Sequence, residues 1–219
     1  LKAAFLANVT HDLRPPLSSI IGSAEMLAQS APAECQDSVD RIERGSRRLR
    51  DTINSVLDLS KLEAGAVAPA PTPVDVADEV LGTAELFRPQ AREQDVTLTT
   101  EVADDALRAE LDPTMLHRIT DNLVGNALKF TDAGGTVTLR AYADDATITI
   151  EVNDTGPGID ADFLPQLFES FSRGDNARER EGTGLGLPIA KRLTELMGGT
   201  IAVDTEQGVG TTFAVQFPR

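Results

Sequence analysis

Apolar residues recur every three or four positions through the first sixty residues of this chain, and this spacing limits its fold more than any other feature. Residues 1 to about 30 carry a 4-3 seam that predicts an amphipathic α-helix. Ser30 to Ala33, with Pro32 among them, interrupts the seam, and a second amphipathic helix is predicted to run to about Leu62. The seam positions are Leu6, Thr10, Leu13, Leu17, Ile20, Ala24, Leu27 and Ala31 in the first helix and Val39, Ile42, Ser46, Leu49, Ile53 and Val56 in the second.

Two such helices joined by a short turn form a hairpin with a bare apolar stripe. A lone hairpin buries that stripe poorly, so we expect a second copy to pair with it as a four-helix bundle. The segment from Ala64 through Pro73 contains three prolines and several alanines, which indicates a linker. The chain is therefore predicted to divide into a helical hairpin at 1–64, a linker at 65–74 and a further domain at 75–219.

The region after the linker mixes helical and strand-like patterns, which is typical of one α/β domain. Segments that alternate apolar and polar residues predict strands, and longer amphipathic segments predict helices. The predicted helices lie near 75–93, 113–130, 161–170 and 185–198, and the predicted strands at 96–102, 107–111, 136–142, 147–153, 200–204 and 211–217.

The charge and cysteine content exclude several classes of protein. Lys and Arg number 20 against 35 Asp and Glu, a net charge of −15. Nucleic acid and anionic membranes are therefore not expected as partners, because both require a basic face. Cys35 is the single cysteine, which excludes an internal disulfide and a cysteine-based metal site. No segment is apolar for long enough to cross a bilayer, and Leu1 opens directly on a helical pattern, so we expect a cytoplasmic fragment whose full-length protein can carry a membrane anchor.

The first predicted helix carries a histidine away from its apolar face. At about 100° per residue, His11 lies roughly 130° from the seam, so we expect its imidazole in solvent. Asp12 beside it can accept the Nδ1 proton, which leaves Nε2 as the more nucleophilic nitrogen. Pro15 and Pro16 deprive the carbonyls of His11 and Asp12 of helical partners, so the helix is predicted to kink or loosen there. A helix that starts at Pro15 is the alternative, which the seam before it disfavours.

Two asparagines between Asn122 and Phe130 are predicted to share one face of a helix, because they stand four residues apart. The amide oxygens of Asn122 and Asn126 suit Mg²⁺, a hard cation that keeps phosphate and water ligands. Lys129 is placed to meet a phosphate. Asparagine pairs also occur on ordinary solvated helices, so this spacing alone is weak.

Glycine-rich segments follow the asparagine pair. Asp154 to Gly158 comes after a predicted strand, where a carboxylate can accept a hydrogen bond from an adenine amino group and glycines let the backbone approach the base. Gly182, Gly184 and Gly186 open a predicted helix whose free N–H groups can bind phosphate. Their spacing differs from the dinucleotide fingerprint and from a Walker A loop. A last glycine pair precedes Thr211.

These segments, taken in order, resemble the boxes of bacterial sensor histidine kinases, the kinases of two-component systems. Phe168 to Arg173 and the polar run behind it are similar to the F box and ATP lid of that family. Phe5 to Leu17 resembles the H box, Asn122 to Phe130 the N box, and the segments 154–158, 182–187 and 208–211 the three glycine boxes.

The resemblance implies a protein-histidine kinase core with ATP and Mg²⁺ as cofactors. His11 is then the autophosphorylation site, and Asp12 replaces the commoner Glu as its general base. Dimeric hairpins present His11 to an α/β sandwich of the gyrase, chaperone and histidine-kinase superfamily. The phosphoryl group then passes to an aspartate in the receiver domain of a response regulator. Asn126 is the implied Mg²⁺ ligand, and the implied nucleotide-binding residues are Asn122, Asn126, Lys129, Phe130, Asp154, Gly156, Gly158, Gly182, Gly184, Gly186 and Thr211.

Pro15 departs from the family pattern. The family usually has Thr or Asn four residues after the histidine, where that side chain positions water for dephosphorylation of the regulator. Proline has no side-chain hydrogen bond to offer. Pro15 therefore argues against phosphatase activity and leaves kinase activity in place.

Two alternatives to an autokinase stay open. An ATPase of the same superfamily hydrolyses ATP without phosphorylating itself, but it needs a glutamate base near Asn122, where this helix offers only Asp121. A degenerate kinase acts as a scaffold, which the presence of Asn126, Asp154 and the glycine boxes disfavours. His117 matches no catalytic box, and we interpret it as a structural or surface residue.

Overall fold

The structure is a computed structural model that describes residues 2–28, 32–103, 107–172 and 183–219. Side chains are described from Leu13 onward, apart from Arg14 and Ala33. The chain forms two compact units, Leu1–Val67 and Ala68–Arg219.

The first unit is a helical hairpin made of α1 (Lys2–Ala28) and α2 (Ala33–Glu63). Helix α1 passes through Pro15 and Pro16 without ending, so the alternative start at Pro15 is wrong. The kink expected at these prolines stays a prediction. The hairpin buries apolar residues from both helices, among them Leu17, Ile21, Ala24, Val39 and Leu57.

One apolar face of the hairpin remains open in the single chain. Five seam residues on this face are about half exposed: Leu13 at 44%, Ile20 at 48%, Leu27 at 53%, Ile42 at 52% and Leu49 at 52%. This exposure follows from the geometry of a two-helix hairpin, which can bury only the side of each helix that meets the other. Among the described residues, no helix has both the length and the hydropathy that a bilayer span requires.

The second unit is an α/β sandwich. A five-stranded sheet has the order β2-β4-β5-β7-β6, in which β2 pairs parallel with β4 and the other neighbours pair antiparallel. Its elements are β1 (Thr72–Asp75), α3 (Val76–Glu93), β2 (Thr97–Val102), β3 (Arg108–Leu111), α4 (Pro113–Phe130), β4 (Thr136–Ala143), β5 (Thr147–Asp154), α5 (Gly186–Leu196), β6 (Thr200–Glu206) and β7 (Gly210–Pro218).

Helices α3, α4 and α5 of the described residues cover one face of the sheet, and the core lies between the two layers. Strand alternation produces this arrangement, because every second residue of a strand points to the same face. The fold class predicted from the sequence is thus confirmed. The most deeply buried side chains of this core include Leu116, Ile119, Leu123, Leu139, Ile148, Ile150, Ile189 and Phe217.

Two elements differ from the sequence prediction. The helix predicted at 161–170 is wrong, since the structure has only a 3₁₀ turn at Leu164–Gln166. Pro165 lacks the N–H that an α-helix needs, and the following amides bond three residues back, Gln166 to Phe163 and Leu167 to Leu164.

The second difference is β1, which the sequence analysis does not predict. Its four residues pair antiparallel with β3, from Thr72 opposite Leu111 to Asp75 opposite Arg108. Pro73 hides this strand from a pattern-based prediction, because proline cannot donate to a ladder and is confined to strand edges and ends. Pro73 is tolerated here because, in the part of the chain that the structure describes, β1 pairs with β3 alone in a two-stranded sheet, so its other edge needs no N–H donor.

Candidate active site

Helix α4 presents the asparagine pair toward the start of α5. The Nδ2 group of Asn122 donates to the carbonyl of Arg118 at 2.7 Å, which directs its Oδ1 away from that bond. A Cβ placed on Gly186 would lie 2.8 Å from Asn122 Oδ1 and 3.8 Å from Asn126 Nδ2. The N-box helix and the glycine-rich helix start therefore meet at the asparagine pair, although Gly186 follows Asn126 by 60 residues in the sequence.

The last turn of α4 carries the lysine and the aromatic residue of the N box. Lys129 Nζ lies 4.5 Å from the centre of the Phe130 ring, within cation–π range. The carbonyl oxygen of Phe130 would lie 2.8 Å from a Cβ on Gly156. The end of the N-box helix thus contacts the first glycine segment, and only glycine fits at that contact.

Asp154 ends β5 as a buried carboxylate, 6% exposed. Burial raises its pKa above the ordinary 3.8, and the backbone N–H groups of Gly156 and Thr211 partly offset that rise. The Gly156 N–H donates to Oδ1 at 2.8 Å. A buried carboxylate with few donors around it retains acceptor capacity for a ligand amino group.

The segment after Asp154 packs against the β6–β7 turn. Gly158 and Gly210 both have positive φ, and a Cβ on either would collide with a backbone carbonyl, that of Glu206 and that of Asp154 respectively. The Gly208 N–H also donates to the Pro157 carbonyl at 2.8 Å. These close approaches require glycine.

Thr211 lies opposite Asp154 in the β5–β7 pairing. Its hydroxyl is 3.1 Å from that of Thr205, which donates to the Gly210 carbonyl at 3.0 Å and accepts from the Ile159 N–H at 2.9 Å. The two threonines therefore tie the third glycine segment to the first.

The start of α5 lacks a side-chain cap. Leu185 occupies the N-cap position without a capping hydrogen bond, and Gly184 before it has a φ of +70°. In the described part of the chain, no side chain caps the N–H groups of Gly186 and Leu187, which can therefore meet an anion, while Pro188 has no N–H. Gly182, predicted to belong to this segment, lies outside the described residues, as does Arg173.

Residues that suit Mg²⁺ and a nucleotide converge in this unit. Asn126 supplies the amide oxygen that a hard cation accepts as a ligand. The glycines at 156, 158, 184 and 186 let neighbouring protein atoms approach more closely than a Cβ would allow. The amide oxygens, the buried Asp154 acceptor and the N–H groups at the start of α5 have the chemistry that a Mg²⁺–nucleotide requires.

His117, interpreted as structural or surface, is a half-exposed residue in a polar cluster between α3 and α4. Its Nδ1 is 2.8 Å from Glu79 and its Nε2 is 3.4 Å from Asp121. The hydrogen bond to Glu79 raises its pKa above the ordinary 6.5, a rise that burial opposes and the charge of Asp121 supports. Its Nδ1 therefore contacts α3, and its Nε2 faces a carboxylate one turn further along α4.

Asp121 belongs to the same cluster. Burial raises the pKa of this carboxyl, and His117 partly offsets the rise. Its Oδ1 is buried without a hydrogen-bond partner in the described part of the chain. Because Asp121 and Asn122 are about 100° apart around α4, the carboxylate that pairs with His117 does not share the face of Asn122 that meets Gly186.

Two family models match the chain. The His Kinase A (phospho-acceptor) domain matches residues 1–65. The histidine kinase-, DNA gyrase B- and HSP90-like ATPase matches residues 111–219. The first contains His11, and the second contains the asparagine pair and every glycine segment.

Full-length kinases match across both units. The sensor protein GacS of Pseudomonas syringae is 39% identical over 97% of this chain, and a sensor-like histidine kinase of Rhizobium meliloti is 37% identical over 99%. The chain spans 24% and 43% of the lengths of these relatives. The crystal structure of full-length ShkA in complex with AMPPNP is similar with a TM-score of 0.83 and 34% identity, covering 98% of this chain and 45% of that one. The chain therefore belongs to the sensor histidine kinases and carries the phospho-acceptor and ATPase domains of their catalytic core.

Proposed function

We propose that the chain is an ATP-dependent autokinase that phosphorylates His11 and transfers the phosphoryl group to a response regulator. The observation that carries this proposal is the meeting of Asn122 and Asn126 with Gly186, in a chain whose first unit matches a phospho-acceptor domain. Such chemistry uses cytoplasmic ATP, so we assign this chain to the cytoplasm.

The proposed roles of the acceptor residues follow from their chemistry. Asp12 accepts the Nδ1 proton of His11, and Nε2 attacks the terminal phosphorus of the ATP substrate. A P–N bond forms as the bond to the bridging oxygen breaks, and ADP leaves with that electron pair. The side chains of His11 and Asp12 lie outside those that the structure describes, so their roles rest on sequence.

The proposed nucleotide site uses this chain's own residues in three ways. Asp154 accepts from the adenine amino group, while Gly156 and Gly158 allow the backbone to approach the base. Phe130 lines the adenine pocket, and Thr211 supports Asp154 from the neighbouring strand. The phosphates are held by Lys129 and by the free N–H groups at the Gly182, Gly184 and Gly186 segment.

Asn126 would hold Mg²⁺, with Asn122 in support, in the proposed site. Bound there, the cation would supply positive charge to the phosphates. Asn122 keeps its orientation through the hydrogen bond to the Arg118 carbonyl, at 2.7 Å. The contribution of the protein is mostly positioning and charge neutralisation.

A second copy of the chain is the proposed partner of the open hairpin face. The half-exposed seam residues form a stripe on one side of each helix, and a second hairpin would bury it as a four-helix bundle. Light scattering should give about twice the chain mass. Ile20→Asp, which places a charge in that stripe, should give the single-chain mass.

Labelled ATP tests the autokinase proposal. With γ-labelled ATP and Mg²⁺, the chain should acquire label that is stable in base and labile in acid. His11→Gln should abolish the label while retaining nucleotide binding. Label that persists in His11→Gln would reject the acceptor, and phosphate release without label would favour the ATPase alternative. Nucleotide binding with neither label nor phosphate release would favour the scaffold.

Pro15 carries a second part of the proposal, the absence of phosphatase activity. A proline offers no hydroxyl or amide to position an attacking water. Pro15→Thr should accelerate dephosphorylation of the phosphorylated regulator, and Pro15→Ala is the matched control that should not. Rapid dephosphorylation by the unmodified chain would contradict this assignment.

A further inference from the structure

The chain segments on either side of residues 173–182 contact each other directly. The Phe171 N–H donates to the Gly184 carbonyl at 3.1 Å. Phe171 has a φ of +65°, a strained backbone conformation for a residue with a side chain. A Cβ on Gly184 would lie 2.9 Å from the Ser172 carbonyl oxygen. The backbone of Phe171 and Ser172 therefore packs against Gly184, just before α5 begins.

A second contact joins the segment that ends at Ser172 to helix α5, at a distance along the chain from the Phe171–Gly184 hydrogen bond. Lys191 Nζ, on α5, lies 5.2 Å from the centre of the Phe168 ring, within the range of a cation–π interaction. Lys191 makes no salt bridge in the described part of the chain. Its neighbour Arg192, by contrast, bonds to Glu195 at 3.4 Å.

We propose that Lys191 is a positioning residue for nucleotide binding, acting through its cation–π contact with Phe168. The proposal rests on the proposed function, in which the N–H groups at the start of α5 hold phosphate. Lys191 follows Gly186 by five residues on one rigid helix. The contact therefore holds the helix start against the Phe168–Phe171 segment before a nucleotide arrives.

Loss of the Lys191–Phe168 contact should lower the affinity for nucleotide, because a site that is already ordered loses less conformational entropy when the ligand binds. An exposed cation–π contact corresponds to about two- to fivefold in an equilibrium constant. Phe168, which the Lys191 ammonium contacts, is not among the residues assigned to the reacting groups. Its loss should therefore raise the KM for ATP and leave kcat unchanged.

Lys191→Met tests the contact, because Met keeps the length and helix propensity of Lys without its charge. Arg192→Met is the matched control, one residue along the same helix. The Kd of the 219-residue chain for a non-hydrolysable ATP analogue, and the KM for ATP, should rise about two- to fivefold in Lys191→Met. Both should stay unchanged in Arg192→Met, and Lys191→Arg should restore them.

A double-mutant cycle with Phe168→Leu identifies the partner. The two single substitutions should each weaken binding, and the double variant should be no weaker than the worse single variant. Additive losses would overturn the proposal, as would an unchanged Kd in Lys191→Met. If the unmodified chain bound no nucleotide, the proposed function itself would fail. If it bound normally and only the cycle were additive, the proposed function would stand and the role of Lys191 would not.

Discussion

The carboxylate of Asp112 accepts a hydrogen bond from the backbone N–H of Ala70 at 2.9 Å, across 42 residues of sequence. The same carboxylate caps α4 by accepting from the N–H groups of Thr114 and Met115. One buried side chain thus joins the chain that enters the ATPase unit to the start of the helix with the asparagine pair.

Ala70→Pro should isolate the first of these bonds. Ala70 is exposed and stands between two prolines, so a proline there removes one N–H and little else. We expect the free energy of unfolding to fall by about 1 kcal/mol. Ala68→Pro is the control, since the Ala68 N–H makes no hydrogen bond within the described residues. Equal denaturation midpoints for both variants would mean that the Ala70 bond adds nothing.

Asp112→Ala should cost about 1–2 kcal/mol near neutral pH, the usual range for loss of a helix cap. Burial raises the pKa of Asp112, but the N–H groups of Ala70, Met115 and Thr114 outweigh it and hold the pKa below 3.8. This stabilisation is therefore complete above pH 3.8 and lost as the pH falls through the folded-state value. Urea denaturation of both proteins at a series of pH values measures the difference, which should shrink in acid. A difference that stays constant down to about pH 2 would contradict this account.

His117→Ala should destabilise the ATPase unit more at low pH than at high pH. The pKa of His117 is raised, so its stabilisation is complete below 6.5 and is lost as the pH rises through the folded-state value. The side chain is 46% exposed, and solvent screening limits the effect to about 1 kcal/mol or less. Denaturation at pH 5.5 and pH 9 measures it, and Glu79→Gln should remove most of the pH dependence.

Asp154→Asn should weaken nucleotide binding and raise thermal stability at once. Loss of a charged acceptor corresponds to about ten- to hundredfold in Kd. The raised pKa means that the unmodified chain loses stability as the pH rises from 3.8 through the folded-state value. Asn has no charge to bury, so the nucleotide-free Asp154→Asn variant should have a higher melting temperature than the unmodified chain at pH 7. Asp204→Asn, at an exposed position of β6, is the control for charge removal alone.

Gly186→Ala should weaken nucleotide binding without unfolding the chain. The new Cβ would stand 2.8 Å from Asn122 Oδ1, so the Asn122 amide must move, and we expect its bond to the Arg118 carbonyl to weaken. Misplacing one hydrogen-bonding group of the site costs about 1 kcal/mol, so we expect the affinity to fall about fivefold. Gly82→Ala on α3, where a Cβ meets nothing within 4 Å, should keep the affinity and stabilise by about 0.4–1 kcal/mol. Calorimetric titration with an ATP analogue distinguishes them.

Periodicity predicted the long elements well, because their burial is periodic. Helix α4 was predicted at 113–130 and has those bounds, since Pro113 and the Asp112 cap mark its start. Strand β5 alternates polar and apolar residues from Thr147 to Val152, and it lies at Thr147–Asp154 where 147–153 is predicted. The segment at 161–170 has an equally apolar composition, yet Pro165 and the i−3 hydrogen bonds give it a 3₁₀ turn.

Contacts between distant segments were beyond prediction from one sequence. Nothing in the local pattern indicates that Ala70 bonds to Asp112 or that Lys191 stacks on Phe168. The asparagines and glycines of the candidate site could be singled out because their spacing follows known boxes. Their spatial convergence, such as Gly186 against Asn122, is produced by helix packing on the sheet.

The pairing of β1 with β3 decides where this ATPase unit can be separated from its hairpin. A cut after Asp75 would delete β1, leave the backbone of β3 without its ladder and remove a donor from Asp112. A cut ahead of Ala68 keeps β1, its ladder with β3 and the Ala70 N–H that donates to Asp112. Chimeric kinases that graft this unit onto a foreign hairpin should therefore be joined upstream of Pro69, where exchange leaves its hydrogen bonding whole.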